Sequence, residues 1–431
     1  MATRLDSQSK DFPERFRKLL AIKREVAEDV EQVVRGIISD VAQRGDQALF
    51  ELTARFDRVD LAKVGLRVTA AEIEAAVKAC QGEALDALKL ARDRIEAYHR
   101  RQKPADERFT DPLGVEMGAK WTAIEAVGLY VPGGTAAYPS SVLMNAVPAK
   151  VAGVPRLAMV VPAPDGRLNP LVLAAARLAG VDEIYRIGGA QAVAALAYGT
   201  ESIASVAKIV GPGNAYVAAA KRLVFGKVGI DMIAGPSEVL ILADKTGNAD
   251  WIAADLLAQA EHDTSAQSIL ITDDAALATQ VEKAVELQLK TLPRANVAGA
   301  SWNRYGVIIV VPKISDAIVL VDQFAPEHLE IVAAGAESLV AGIRNAGAIF
   351  IGAHTPEAIG DYIAGSNHVL PTARSARFAS GLGVLDFMKR TSLLKCGPEQ
   401  LRALGPAAIA LGDAEGLGAH ARSVAIRLNQ R

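Results

Sequence analysis

The sequence AVGLYVPGGTAAYPSSVLMNAVPAKVAGVPRLAMVV, residues 126–161, joins two short apolar runs through a helical pattern. The runs at 126–131 and 157–161 have the length and composition of buried strands, and residues 141–152 between them have the period of a helix. A strand, a helix and a second strand in this order predict a βαβ unit and therefore a parallel sheet.

The same alternation continues along the chain in two series. The first series goes on with apolar runs at 183–187 and 208–210. The second consists of the runs at 239–242, 268–272, 307–311, 329–332 and 348–351. A glycine-rich segment, residues 211–237, separates the two series. We therefore predict an α/β protein with two doubly wound, incomplete Rossmann-like lobes, each built on a parallel sheet.

The regions outside the two series have helical patterns. Residues 1–24 are predicted to form an N-terminal helical extension, and residues 25–129 with 239–381 a first α/β domain. Residues 130–238 are predicted to form the second α/β domain. Residues 382–431 are predicted to be a helical tail, too short for a core of its own and therefore expected to pack on another surface.

Composition excludes several classes of protein. With 47 basic and 49 acidic residues, the chain has no basic excess that would neutralise the phosphates of a nucleic acid. No apolar run is long enough to span a bilayer, and the polar first twelve residues lack the core of a signal peptide, so we predict a cytoplasmic protein. Cys80 and Cys396 are the two cysteines and form no CxxC pair, so neither a disulfide framework nor a thiolate metal site is indicated.

Polar residues at two places suggest catalytic or metal chemistry. The helical stretch 251–262 carries Gln259 and His262 on its polar face, three residues apart, so both side chains can converge on one point. An exposed helix end would give the same pattern. Glu327 and His328 precede a strand-like run, where a carboxylate beside an imidazole can activate water and transfer protons. A surface turn is the alternative.

Further candidates lie towards the C-terminus. Asp361 lies on a short predicted helix, and His368 follows it closely enough to line the same pocket. Glu415 and His420 lie in the tail. Nitrogen and oxygen ligands without thiolate favour Zn²⁺, although Mn²⁺ or Co²⁺ would also fit. By contrast, we predict that His99 and His354 are solvated or loop residues.

Three glycine turns, PGG (132–134), GGAQ (188–191) and GPGN (211–214), each connect a predicted strand to a predicted helix. Backbone amides in such turns can bind phosphate. None contains GxGxxG, so ordinary βα turns explain them equally well.

Taken together, these segments resemble the histidinol dehydrogenase family. The resemblance is carried by GLYVPGG (128–134), GPGN (211–214), AGPSE (234–238), QAEH (259–262), FAPEH (324–328), GD (360–361), NHVLP (367–371) and GAH (418–420). It implies a zinc-dependent, NAD-linked, four-electron oxidation of L-histidinol to L-histidine through histidinaldehyde, the last step of histidine biosynthesis.

The resemblance also implies roles for individual residues. It implies that Zn²⁺, one ion per site, is held by Gln259, His262, Asp361 and His420. It implies that Glu327 and His328 are the acid/base pair, and that histidinol is contacted by Ser237, Gln259, His262, His328, Asp361, His368, Glu415 and His420. It implies that NAD⁺ is contacted by Tyr130, Gln191 and Asn214. It further implies a homodimer in which the tail supplies Glu415 and His420 across the interface.

Two other classes of function fit the residues without the resemblance. A zinc hydrolase would use the same metal ligands with Glu327 as general base. A two-lobed protein that binds a small molecule without catalysis would have a similar fold. Formation of NADH on addition of histidinol distinguishes both from a dehydrogenase.

Overall fold

The computed structural model describes residues 2–22, 28–80, 82–133, 138–181 and 183–429. Its strands are β1 (Thr3–Asp6), β2 (Glu107–Thr110), β3 (Glu116–Ala123), β4 (Ala126–Tyr130), β5 (Arg156–Val160), β6 (Glu183–Tyr185), β7 (Lys208–Val210), β8 (Gly229–Ile230), β9 (Glu238–Ala243), β10 (Gln267–Thr272), β11 (Val307–Val310), β12 (His328–Val332), β13 (Ala348–Ile351) and β14 (Met388–Lys395). Its helices are α1 (Phe12–Leu20), α2 (Glu28–Arg44), α3 (Asp46–Phe56), α4 (Leu61–Val64), α5 (Ala70–Ala79), α6 (Glu83–Arg100), α7 (Pro139–Ala152), α8 (Pro170–Leu178), α9 (Gly189–Tyr198), α10 (Ala215–Val224), α11 (Ala249–Ala260), α12 (Ala275–Gln288), α13 (Ala295–Tyr305), α14 (Ala317–Phe324), α15 (Ala336–Val340), α16 (Glu357–Tyr362), α17 (Pro398–Ala414) and α18 (Gly418–Ala425).

Two parallel sheets organise the chain, as predicted. One has six strands in the order β1-β11-β10-β9-β12-β13, and the other has five in the order β6-β5-β4-β7-β8. Every strand of the two predicted series is present, with ends that differ by two residues at most. All residues of β9 and β10 are buried. Strands covered on both faces have continuous apolar runs, which is why the sequence identified them.

The helices of residues 28–100 pack against the helices that cover the five-stranded sheet. Helix α2 contacts α9 and α10, α5 contacts α8, and α6 contacts α7. Strand β4 also belongs to that sheet. The grouping of residues 25–129 with 239–381 into one domain stays a prediction. The predicted boundary between residues 24 and 25 lies outside the described residues.

The N-terminal extension is not purely helical, which corrects the prediction for residues 1–24. Strand β1 pairs in parallel with β11, so that Thr3 lies opposite Val307. Only Leu5 of its four residues is buried. Strands at the edge of a sheet face water, and such a short polar strand leaves no apolar pattern to detect.

The tail begins with a strand, which corrects the prediction that residues 382–431 are helical. Strand β14 pairs antiparallel with β3, and β3 pairs with β2, in a separate three-stranded sheet. No residue of β14 is buried. Because neither face of β14 packs on a core, its residues do not alternate between apolar and polar, and no strand could be predicted from the sequence.

Beyond β14, helices α17 and α18 pack mainly on each other. Their contact is made through small residues, Gly405, Gly412 and Ala421, which are buried. Large apolar side chains of the tail remain exposed, among them Leu411 at 64% and Ile426 at 57%. The tail thus presents an apolar surface that the described part of this chain does not cover.

Two further features complete the fold. Among the described residues, no helix combines the length and the apolar content needed to cross a bilayer.

His99 is completely buried, with its Nδ1 2.7 Å from the carbonyl oxygen of Ile95, so the prediction that it is solvated was wrong. Its position on α6, which packs against α7, explains the burial. His354 is exposed, as predicted.

Candidate active site

Glu327 and His328 lie at the amino end of β12, in the interior of the protein. Helix α14 ends at Phe324, and the left-handed backbone of the next residue, Ala325 (φ 45°), turns the chain towards the strand. Glu327 and His328 are only 5% and 3% exposed. The Glu327 carboxylate accepts the backbone N–H of Glu238 at 3.0 Å, and Nδ1 of His328 lies 3.2 Å from the Glu238 carbonyl oxygen. The start of β9 therefore holds both side chains in place.

Charges around His328 set the acid/base properties of the pair. Burial raises the pKa of Glu327 to about 7. Burial alone would lower the pKa of His328, but the neighbouring carboxylates raise it well above its ordinary value. Nδ1 is 3.8 Å from Glu327 Oε2 and 3.6 Å from Glu357 Oε2, and Nε2 is 3.5 Å from Asp361 Oδ1. A carboxyl that titrates near neutral pH beside an imidazole is suited to proton transfer.

Asp361 is the anionic member of the site. Burial acts to raise its pKa, but the hydrogen bond and charge of His328, with the charges of His368 and His262, lower it below its ordinary value. It lies on α16, which packs against α11. A carboxylate that stays ionised in the interior is a suitable ligand for a cation.

His368 connects the two lobes at the site. Its Nδ1 is 3.0 Å from the carbonyl oxygen of Asp361, and its Nε2 is 3.2 Å from the hydroxyl of Ser141 on α7. Burial lowers the pKa of His368, which keeps its ring neutral at neutral pH. The side chain of Asn367 donates to the carbonyl oxygen of Met144 on the same helix, at 2.6 Å. The site thus lies where the two sheet lobes meet.

Gln259 and His262 lie at the end of α11. Gln259 is completely buried, and neither its amide nitrogen nor its amide oxygen has a hydrogen-bond partner. A buried amide without partners costs about 1–3 kcal/mol, and a ligand would relieve that cost. His262, just beyond the helix, is exposed on one side, yet the surrounding protein lowers its pKa and Asp361 is close enough to oppose that effect. A neutral imidazole and a free amide oxygen are suitable donors for a metal.

Three side chains near His328 have the chemistry of metal ligands. In the described ranges, no group of three or more His, Cys, Asp and Glu side chains could hold a metal ion. Gln259, His262 and Asp361 offer an amide, an imidazole and a carboxylate, a set that fits Zn²⁺ once a fourth ligand is added. The donor set therefore fits the metal but leaves one position to be filled.

The tail residues lie apart from this group. Glu415 directly follows α17 and His420 lies in α18, and both are exposed. Across the described chain, no hydrogen bond or ion pair joins either residue to the side chains around His328. Ser237 is half-buried directly before Glu238, whose backbone binds Glu327. The structure thus brings Ser237, but not Glu415 or His420, to the site.

The candidate NAD⁺ contacts lie along the five-stranded sheet. The buried Tyr130 ends β4, and its hydroxyl accepts the backbone N–H of Gly189 at 2.9 Å. Gln191 is buried in the first turn of α9. Asn214 caps α10, because its Oδ1 accepts two backbone N–H groups. Tyr130 lies at the carboxyl end of its strand, and Gln191 and Asn214 follow the carboxyl ends of theirs, so all three lie at the same end of the parallel strands. Gly134 of the PGG turn lies outside the described residues.

Sequence reasoning missed a cluster of buried carboxyl groups next to His328. Glu330 on β12 accepts the backbone N–H of Glu357 at 2.6 Å, and its side chain is hydrogen-bonded to Asp255 on α11. Burial raises the pKa of Glu330 to about 9, of Glu357 to about 8 and of Asp255 to about 6. The available signal was an acidic residue inside the apolar run of β12, between Leu329 and Ile331.

Comparison with known proteins points to one family. The family model described as histidinol dehydrogenase matches residues 21–428. A histidinol dehydrogenase of Bradyrhizobium diazoefficiens is 75% identical over 429 residues, and one of Rhodopseudomonas palustris is 72% identical over 431 residues; each match covers 100% of both chains. The crystal structure of histidinol dehydrogenase from Elizabethkingia anophelis, 36% identical, has a TM-score of 0.95 and covers 99% of this chain and 98% of that one.

Proposed function

Because the chain belongs to the histidinol dehydrogenase family and thus converts histidinol to histidine in histidine biosynthesis, we propose that it uses NAD⁺ and one Zn²⁺ per active site. The observation that supports this most is the convergence of Glu327, His328 and Asp361 beside Gln259, whose buried amide lacks any partner. Membership in a family of oxidoreductases argues against the hydrolase and the non-catalytic binding protein.

We propose that Gln259, His262 and Asp361 hold Zn²⁺ together with His420 of the partner subunit. When bound, Zn²⁺ would orient and polarise the substrate as a Lewis acid, and NAD⁺ would accept hydride. The neutral imidazole of His262 and the ionised carboxylate of Asp361 are already in the states that bind a cation. Mn²⁺ or Co²⁺ would be compatible with the same donors.

His328 is the proposed base that takes the hydroxyl proton of the substrate. Its acidic neighbours Glu327, Glu357 and Asp361 lie within 3.8 Å of the ring, and Asp361, whose pKa is lowered, is the ionised group that stabilises the resulting imidazolium. Engagement of Asp361 with a cation would remove part of the negative charge that raises the pKa of His328. That change favours the neutral imidazole, which is the form able to accept a proton.

Glu327 is the proposed general base for the second oxidation. Its pKa of about 7 lets it take a proton from a water molecule that adds to histidinaldehyde, and then release that proton. Ser237, His368 and Glu415 are proposed to contact the substrate. Tyr130, Gln191 and Asn214 are proposed to contact NAD⁺ at the edge of the five-stranded sheet.

We propose a homodimer in which the tail completes the site of the other subunit. The exposed apolar residues of α17 and α18 support this, because an apolar surface of this kind is usually covered by a partner. Exposure of Glu415 and His420, apart from the site of their own chain, points the same way. The cytoplasmic location and the domain boundaries given above likewise stay proposals.

A spectrophotometric assay with purified protein tests the proposed function. With histidinol and excess NAD⁺, about two NADH should form for each histidinol consumed, because a four-electron oxidation needs two hydride transfers. Chelation should abolish the reaction and Zn²⁺ should restore it. Full activity in protein shown to contain no metal would contradict the zinc proposal, and a one-to-one ratio would contradict the four-electron reaction.

A further inference from the structure

A buried ion pair lies directly behind the GPGN loop (211–214). Lys221 on α10 is 2% exposed, and its ammonium group pairs with the carboxylate of Asp231, whose side chain is 1% exposed. Lys221 follows Asn214 by two helical turns, so it lies on the same side of α10 as that residue. The pair therefore connects the helix that Asn214 caps with the segment that follows β8.

The ion pair binds both backbone groups of Gly211. Nζ of Lys221 donates to the Gly211 carbonyl oxygen at 2.9 Å, and the Gly211 N–H donates to Oδ2 of Asp231 at 2.8 Å. Oδ1 of Asp231 also accepts the backbone N–H of Met232 at 2.6 Å. Gly211 is thus part of a closed ring of hydrogen bonds in which both charged groups take part.

Gly211 is also fixed from the other side. Its φ of +111° is a conformation that favours glycine, and a Cβ there would collide with the carbonyl oxygen of Tyr130. The loop is therefore held between the end of β4 and the ion pair. Tyr130 and Asn214, two of the proposed NAD⁺ contacts, lie on either side of the residue that is held.

Stability is a weak reason to bury this pair. Removing two charges from water costs about as much as their attraction returns, and apolar residues of similar volume often stabilise a protein equally well. Charged hydrogen bonds are, however, strongly directional, so the pair favours one arrangement of the backbone. We propose that Lys221 and Asp231 are positioning residues that hold loop 211–214 in the conformation that binds NAD⁺. This inference rests on the proposed function, in which Tyr130 and Asn214 contact NAD⁺.

The test is NAD⁺ affinity, measured by isothermal titration calorimetry on the Zn²⁺-loaded enzyme. The variant K221M/D231V replaces both charges with apolar groups and leaves neither one unpaired, so we expect it to fold with a melting temperature close to that of the wild type. Its Kd for NAD⁺ should rise about tenfold, which corresponds to about 1.4 kcal/mol. Its KM for histidinol should change by less than about twofold. D231N should show a smaller rise, because its amide oxygen can still accept the Gly211 N–H.

R156M is the matched control. Arg156 pairs with Glu183 at 2.8 Å in the same sheet. It lies at the amino end of β5, whereas the loop follows the carboxyl end of a neighbouring parallel strand, so the two lie at opposite ends of the strands. Its loss should leave the Kd for NAD⁺ unchanged. An equal rise in Kd for R156M, or an unchanged Kd for folded K221M/D231V, would overturn the positioning role. If K221M/D231V does not fold, the test relies on D231N. A Kd for NAD⁺ of D231N equal to that of the wild type would then overturn the positioning role.

N214A separates failure of this inference from failure of the proposed function. If N214A binds NAD⁺ as tightly as the wild type, the proposed contact with the cofactor is wrong, and the positioning role is overturned with it. If N214A weakens binding while D231N and K221M/D231V do not, the contact is correct and only the positioning role fails.

Discussion

Replacing Glu330 with glutamine should change how stability depends on pH. Glu330 is 1% exposed, and its pKa is raised to about 9, whereas the pKa of a glutamate in an unfolded chain is ~4.3. Between these values the native state binds one more proton than the unfolded state. Stability must therefore fall as pH rises, by ~1.4 kcal/mol per pH unit for that one proton. Asp255, with a pKa of about 6, ionises first and leaves the proton on Glu330.

From this slope, the free energy of unfolding of E330Q relative to the wild type should increase by about 3 kcal/mol between roughly pH 6 and pH 8. Glutamine keeps the geometry, because its oxygen can accept the Glu357 N–H and its nitrogen can donate to Asp255. The measurement is urea unfolding at both pH values, with a chelator present so that bound metal adds no pH dependence of its own. E286Q, at an exposed site on α12, is the control and should show no such trend. A difference between E330Q and the wild type that is the same at both pH values would refute the reasoning.

Three further predictions concern the chemistry and the assembly. E327Q should slow the oxidation of histidinaldehyde by about 10²–10⁴-fold and the oxidation of histidinol much less, because only the second step needs an activated water. Stopped-flow assays with each substrate measure the two rates separately. Equal losses in both rates would contradict the role of Glu327 as general base. H262N should no longer retain Zn²⁺, whereas H354N, at an exposed loop, should keep it; atomic absorption measures the bound metal. Retention of Zn²⁺ by both variants would show that His262 is not a ligand. Inactive H262N and H420N chains can be unfolded together and refolded as a mixture. If each site takes His420 from the other chain, about half of the dimers are mixed and one of their two sites has both histidines intact, so about a quarter of all sites should regain activity. Mixed dimers without any gain in activity would exclude the shared site.

The parallel sheets were predictable because their strands are buried on both faces. A strand such as β10 must then be apolar throughout, and the helices between strands must carry the period of a half-buried helix. The antiparallel sheet and β1 were not predictable by the same reasoning. Their side chains face water, so pairing depends on partners that lie far away in sequence, such as Val307 for Thr3.

The candidate site was predictable only where its residues are neighbours in sequence. Glu327 with His328, and Gln259 with His262, form local patterns that could be read as reactive pairs. Their approach to Asp361 depends on the packing of α16 against α11, which no local pattern encodes. The same holds for Ser141, whose contact with His368 crosses between the lobes. Those relations came from the family resemblance or from the structure, not from periodicity.

The pairing of β1 with β11 and of β14 with β3 has a consequence for synthesis on the ribosome. Residues 126–230 form the five-stranded sheet from one continuous stretch, so that sheet can form while the rest of the chain is still being made. The six-stranded sheet cannot pair β1 with β11 until residue 307 has emerged, and β3, although it can already pair with β2, lacks its β14 partner until residue 388 has emerged. Contacts this distant are slow to form, and unpaired strand edges are prone to aggregate while they wait. Chains that stall late in translation should therefore have a folded five-stranded lobe and an unpaired edge on β3. That edge is where chaperones would be expected to bind.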